Sequence, residues 1–153
     1  MKHNIEQLLE IKDFIALING RASAAINRYM NKRFKEAGLG ITTEQWSVLT
    51  CLWERDKQTQ QNISEQTFKD KASVTRLLDN LEKNGLVKRE SSYKDRRINL
   101  IHLTDKGIQL EKIANGIVRK SIEMSTNDID MEDLQFIINL FKKILNNLES
   151  DEI

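Results

Sequence analysis

The stretch DKASVTRLLDNLEKNGLVKRESSYKDRRINLIHLTDKG, Asp70 to Gly107, decides how this chain folds. Asp70 is a helix cap, and Val74, Leu77, Leu78 and Leu81 follow at i, i+3, i+4 and i+7. That spacing predicts a helix to about Asn84 with one apolar stripe facing a core. Lys71, Ser73, Thr75, Arg76, Asp79 and Lys83 lie off the stripe. Gly85 stops the helix. Leu86–Ser91 and Arg96–Leu103 then read as two short strands joined at the tip Ser92-Tyr93-Lys94-Asp95. In the second strand Asn99, Ile101 and Leu103 alternate with Ile98, Leu100 and His102. One face packs on helices and the other is partly wet. Thr104 caps the next helix.

Upstream, Thr59 caps a short helix through Phe68, with Ile63 and Phe68 as its apolar content among Gln60, Gln61, Asn62 and Gln66. Thr42 and Gln45 fit a capping box, with Thr43 as a competing cap. The helix they open carries Trp46, Leu49 and Trp53 on one face and Val48, Cys51 and Leu52 on another, the pattern of a buried helix. Apolar residues at helical spacing from Ile5 to Lys35 predict one long helix, bent near Gly20 and ended by Glu36-Ala37-Gly38-Leu39-Gly40. Downstream, a helix over 105–125 has Leu110, Ile113, Ala114, Ile117 and Val118 as its apolar side, with Gly116 marking close packing or a bend. Asp130 starts the last helix, whose stripe is Leu134, Ile137, Ile138, Phe141, Ile144, Leu145 and Leu148. So continuous a stripe needs a covering surface, on its own domain or on a second subunit.

Composition narrows the class. The chain has 153 residues, 39% hydrophobic and 31% charged, with a net charge of +1, as expected of one globular domain. No apolar run reaches the roughly 18–20 residues a membrane span needs. The first residues carry acids and no apolar signal core, and a single cysteine forms no intramolecular disulfide, so the expected compartment is a reducing cytoplasm. The low net charge hides an uneven distribution. Lys83, Lys88, Arg89, Lys94, Arg96 and Arg97 are opposed locally by Glu90 and Asp95, while the tail is acidic. A local basic surface is what attracts phosphate.

A helix pair followed by a basic hairpin is the plan of a winged helix-turn-helix. The second helix of such a pair enters the major groove, where its N-terminal residues reach base edges. Here those are Lys71, Ala72, Ser73, Thr75 and Arg76. The stretch Asp70–Gly107 resembles the core of the MarR family, the multiple-antibiotic-resistance type of bacterial regulator. The matching pieces are Ser73-Val-Thr-Arg76, Leu81-Glu-Lys-Asn-Gly-Leu-Val87, the wing signature Asp95-Arg-Arg97 and Leu103-Thr-Asp-Lys-Gly107. The flanking helices agree, so the resemblance covers nearly the whole chain.

The resemblance implies a mostly α fold: a winged helix-turn-helix lobe over 42–104, with a two-stranded β wing, and a helical dimerisation region over 1–36 and 105–153. It implies a cytoplasmic homodimer that reads double-stranded DNA at a pseudo-palindrome with half-sites about 34–36 Å apart. Such a protein is most often a repressor, released by a small aromatic effector. DNA contact falls to Lys71, Ser73, Thr75, Arg76, Lys94, Arg96 and Arg97. Asp95 orients a wing arginine through a charge-assisted hydrogen bond. Ile5, Leu8, Leu134, Ile138, Phe141 and Leu145 form the dimer contact.

The same residues admit other readings. Cys51 invites a thiol-based redox sensor, but it sits among apolar residues with no neighbouring base, which favours a structural thiol. His3 and His102 lie far apart without a clustered cysteine, so no metal and no cofactor is expected. Trp46, Trp53, Phe14 and Tyr29 suit plain packing as well as an effector pocket. No phosphate loop or nucleophile motif appears, so the chain is not read as an enzyme. A winged fold kept only for protein contacts is the remaining alternative, and Arg76, Arg96 and Arg97 argue against it.

Overall fold

The computed structural model describes residues 20–91 and 99–149. The elements run α1 (Arg21–Glu36), α2 (Thr43–Glu54), β1 (Gln58–Thr59), α3 (Gln60–Thr67), α4 (Lys71–Lys83), β2 (Val87–Ser91), β3 (Asn99–Leu103), α5 (Asp105–Ser125) and α6 (Met131–Glu149). The chain divides into two compact units after Ser121, within α5.

In the first unit α2, α3, α4 and α5 begin where side-chain caps put them. The Thr42 hydroxyl accepts from Gln45 N at 3.2 Å, and the Gln45 side chain accepts from Thr42 N at 2.9 Å, a reciprocal capping box. Thr43 is therefore the first helical residue rather than the cap. Thr59, Asp70 and Thr104 each accept from a backbone N–H three residues on, at 3.1, 2.8 and 3.1 Å. The core is drawn from every element around it. Phe34 of α1, Val48, Leu49 and Leu52 of α2, Ile63 of α3, Val74, Leu78 and Leu81 of α4, and Ala114 of α5 are fully enclosed, and Ile101 of β3 nearly so.

The sheet has one more strand than the hairpin alone predicts. Its order is β1-β3-β2, all antiparallel, with Gln58 opposite Ile101 and Val87 opposite Leu103. Gln58 is buried, and its amide donates to the Cys51 and Arg55 carbonyls, which ties the link after α2 against β3. The hairpin strands are described over 87–91 and 99–103; the first starts one residue later than expected, and residues 92–98, the tip and the expected start of the second strand, lie outside the described residues.

Several expectations are corrected. Gly20 has φ 87° and precedes α1, so a continuous right-handed helix does not run through it, and the part of that helix expected over 5–19 lies outside the described residues. Phe68 is 91% exposed rather than part of the core. It closes α3 in the left-handed region at φ 53°, which turns its side chain outward. Ile113 of α5 is exposed, whereas Ala114 and Val118 face inward. Close packing in α5 occurs at Gly107 instead of Gly116. A Cβ at Gly107 would stand 2.1 Å from the Leu86 carbonyl oxygen, while nothing lies within 4 Å of one at Gly116.

The second unit holds the end of α5 and all of α6. Thr126–Asp130 turns the chain, with Asp128 at φ 60° and Leu134 N donating to Asp130 O at 3.0 Å. Leu134 and Ile144 are half-buried, while Ile137, Ile138, Phe141, Leu145 and Leu148 are exposed, as are Phe136 and Leu140 beside the stripe. Ile5 and Leu8 lie outside the described residues. Among the described residues, no helix is long and apolar enough to cross a membrane.

Candidate nucleic-acid interface

The pair α3 and α4 is joined by a short, firmly held turn. Lys69 N donates to Ser64 O at 3.2 Å, and Ser64 Oγ donates back to Lys69 O at 2.5 Å. At the start of α4 the Asp70 carboxylate accepts from Ser73 N at 2.8 Å and from Ser73 Oγ at 2.7 Å. These bonds, the hydroxyl one first, hold the Asp70 carboxyl below the usual aspartate range. Beyond the cap Lys71, Ala72 and Arg76 are exposed, and Ser73 and Thr75 are half-exposed. Thus the first turns of α4 present two cations, Lys71 and Arg76, beside small side chains. Both Lys71 and Arg76 come from the off-stripe positions of the sequence, and the apolar stripe anchors the helix behind them.

The base of the hairpin is differently charged from what the sequence run suggests. Arg89 of β2 points back at α4. Its guanidinium meets Asp79 at 2.6 Å and also Glu82, and its backbone N–H donates to Glu82 at 3.0 Å. Lys88 pairs with Glu90 at 2.5 Å, and His102 Nε2 lies 3.5 Å from the same carboxylate. Arg89 and Lys88 are thus engaged within the protein. Asp79 and Glu82 therefore clamp the described part of the wing, the kind of role expected of Asp95. Lys94, Asp95, Arg96 and Arg97 lie outside the described residues.

The aromatic and thiol candidates have structural partners. Trp46 Nε1 donates to Asn115 at 3.0 Å and Trp53 Nε1 to the Gly107 carbonyl at 3.0 Å. Arg33 lies over the Tyr29 ring at 4.8 Å. Phe14 and His3 lie outside the described residues. Cys51 is buried and donates to Ser47 O at 3.4 Å. Burial pushes its thiol pKa up, and the Glu54 charge adds to that shift, the opposite of what a reactive thiolate needs. It borders an open cleft of about 430 Å³ that Trp46, Thr50 and Gln66 also line. Among the described residues, no three His, Cys, Asp or Glu side chains gather as a metal site.

Comparison with known proteins places this geometry. The MarR family model matches residues 41–98, from two residues before α2 to the residue before β3. The transcriptional regulator MhqR of Bacillus subtilis is 36% identical over 88% of this chain and 90% of its own length. A MarR protein structure from Peptoclostridium difficile superposes with a TM-score of 0.78 at 26% identity, covering 90% of this chain and 88% of that one. The Staphylococcus aureus MepR–DNA complex has the same fold, with a TM-score of 0.78 at 23% identity over 86% of this chain and 96% of that one. A capped helix pair, a clamped wing and a relative similar over nine-tenths of both chains lead to one assignment: this chain belongs to the MarR family of winged helix-turn-helix transcriptional regulators, which are not enzymes.

Proposed function

We propose that the protein binds double-stranded DNA as a homodimer and represses transcription by covering a promoter. The observation that carries this reading is the first two turns of α4, where exposed Lys71 and Arg76 stand beside small side chains on a capped helix. A helix of this kind fits the major groove and delivers its N-terminal residues to base edges. MepR, which has the same fold, was solved in complex with DNA, and that supports the reading. In this reading residues 42–104 form the DNA lobe, and 1–36 with 105–153 form the dimer region. Lys71, Ser73, Thr75 and Arg76 enter the groove, and Lys94, Arg96 and Arg97 reach the backbone or minor groove, with Asp95 orienting an arginine. Ile5, Leu8, Leu134, Ile138, Phe141 and Leu145 meet the second copy. A small aromatic effector releases the DNA by favouring a dimer whose two heads no longer fit successive grooves, which requires unequal affinity for the two shapes. The site of action is the cytoplasm.

The test is fluorescence anisotropy with duplex DNA from upstream of the protein's own gene, titrated against salt. Wild type runs beside Arg76→Ala and Arg97→Ala. Tight binding that weakens steeply with salt and is reduced by both changes supports the reading. Equal affinity for this and unrelated DNA, found again after selection from a random pool, leaves a winged fold used for protein contacts.

A further inference from the structure

Thr75 and Ser73 carry the hydroxyls on the open side of α4, and both hydroxyls are already engaged. Thr75 Oγ1 lies 2.7 Å from the Lys71 carbonyl oxygen and 2.6 Å from Gln60 Nε2. The direction of these bonds is set by chemistry. Gln60 Nε2 also lies 3.2 Å from the Lys71 carbonyl, which only accepts, so the amide must present its N–H edge to this corner. The single Thr75 proton therefore goes to Lys71 O, and one lone pair receives Gln60. Ser73 Oγ gives its proton to Asp70 at 2.7 Å and faces Arg76 Nη2 at 3.4 Å.

Neither hydroxyl has a hydrogen left for DNA. Phosphate oxygens, guanine O6 and N7, and thymine O4 all accept. Against each of them these residues would present only lone pairs. Toward a thymine edge, which presents the O4 acceptor and the 5-methyl group, what Thr75 can offer is its γ-methyl. Threonine in a helix divides between two rotamers because its hydroxyl bonds the preceding turn in only some of them. Gln60, half-buried at the first position of α3, adds a second bond to the rotamer that turns the hydroxyl inward.

We propose that Gln60 is a specificity-determining positioning residue: by holding the Thr75 hydroxyl within the protein, it makes Thr75 an apolar reader that selects a thymine 5-methyl group in the major groove. This rests on the DNA-binding reading above and specifies what one side chain of that surface reads.

The test uses the full chain and a duplex that the wild type selects from a random-sequence pool. Its thymines are replaced singly by deoxyuridine, which removes the 5-methyl and nothing else. One thymine per half-site should show about a fourfold loss of affinity on replacement, the worth of one buried methyl group. Thr75→Val has the methyl without the hydroxyl and should keep that thymine-to-deoxyuridine ratio, whereas Thr75→Ser should bring it to about one. Gln60→Leu and Gln60→Glu, neither able to donate to Thr75, should each lower the ratio. Helical content by circular dichroism checks that each variant is folded. Loss of the ratio in Thr75→Val, an unchanged ratio in both Gln60 variants, or no sensitivity to deoxyuridine at any position would overturn the inference while leaving DNA binding intact. Absence of salt-sensitive duplex binding by the wild type would remove the DNA reading, and this inference with it.

Discussion

A methyl group added at Gly107 has nowhere to go: the Leu86 carbonyl oxygen would stand 2.1 Å away and a Leu103 methyl 3.2 Å. Backbone cannot yield as a side-chain tip can, so Gly107→Ala should destabilise the protein by about 1–3 kcal/mol, the usual cost of overpacking. Gly116 lies in the same helix in open space, and Gly116→Ala should stabilise by about 0.5–1 kcal/mol through helix propensity. Urea unfolding of the two variants therefore gives opposite signs, and matching signs would contradict the packing described. Asp70 supports a different prediction. Its folded carboxyl is held below the unfolded value by Ser73, so the charged cap adds stability above the ordinary aspartate pKa of about 3.9 and loses it as pH falls through the lower, folded value. Asn caps almost as well but does not titrate. The stability advantage of wild type over Asp70→Asn should be present at neutral pH and vanish in strong acid, as read by paired thermal melts.

The elements depend on contacts at two ranges, and only the shorter range is legible in the sequence. The caps at Thr42, Thr59, Asp70 and Thr104 were readable because each involves residues three apart on one turn. The stripe of α4 was readable because burial follows helical period. Strand β1 was not, since two polar residues have no period and their pairing depends on β3, over forty positions later. Nor was the role of Arg89. In the sequence it belongs to a basic run, yet the chain reversal at Gly85 sets it against Asp79 and Glu82 of α4. That clamp fixes the root of the wing to the helix proposed to read DNA. Arg89→Met should cost about 1 kcal/mol of stability, the upper range for a partly exposed pair. It should also weaken DNA binding without altering its salt dependence, because Arg89 neutralises no phosphate. Arg76→Ala should reduce the salt slope by about one. A reduced slope in Arg89→Met would show that this arginine leaves its carboxylates for the DNA backbone.

At the scale of the molecule the deciding feature is apolar surface. Ile108, Ile113, Ile122 and Met124 of α5 and Met131, Phe136, Ile138, Phe141, Leu145 and Leu148 of α6 are all more than two-fifths exposed. Scattered exposed hydrophobes are ordinary, but a series along one helix at core spacing marks an interface. The periodicity of α6 was plain in the sequence; what covers it was not, because a stripe records the need for a surface and says nothing of where that surface comes from. If a second copy covers it, two DNA heads are joined, and the second head binds as a tethered ligand. Tethering raises affinity by about 10²–10⁴ without any new contact. Replacing Phe141 and Leu145 together by Glu puts two charges into that surface, where desolvation opposes association. Sedimentation equilibrium should then find a monomer, and affinity for a two-half-site duplex should fall to that for a single half-site. The parent and variant should bind the single half-site alike, since α4 is unchanged. A variant that stays dimeric would place the dimer contact elsewhere. A monomeric variant that keeps full affinity for the longer duplex would show that one head suffices, and repression would then require no second subunit.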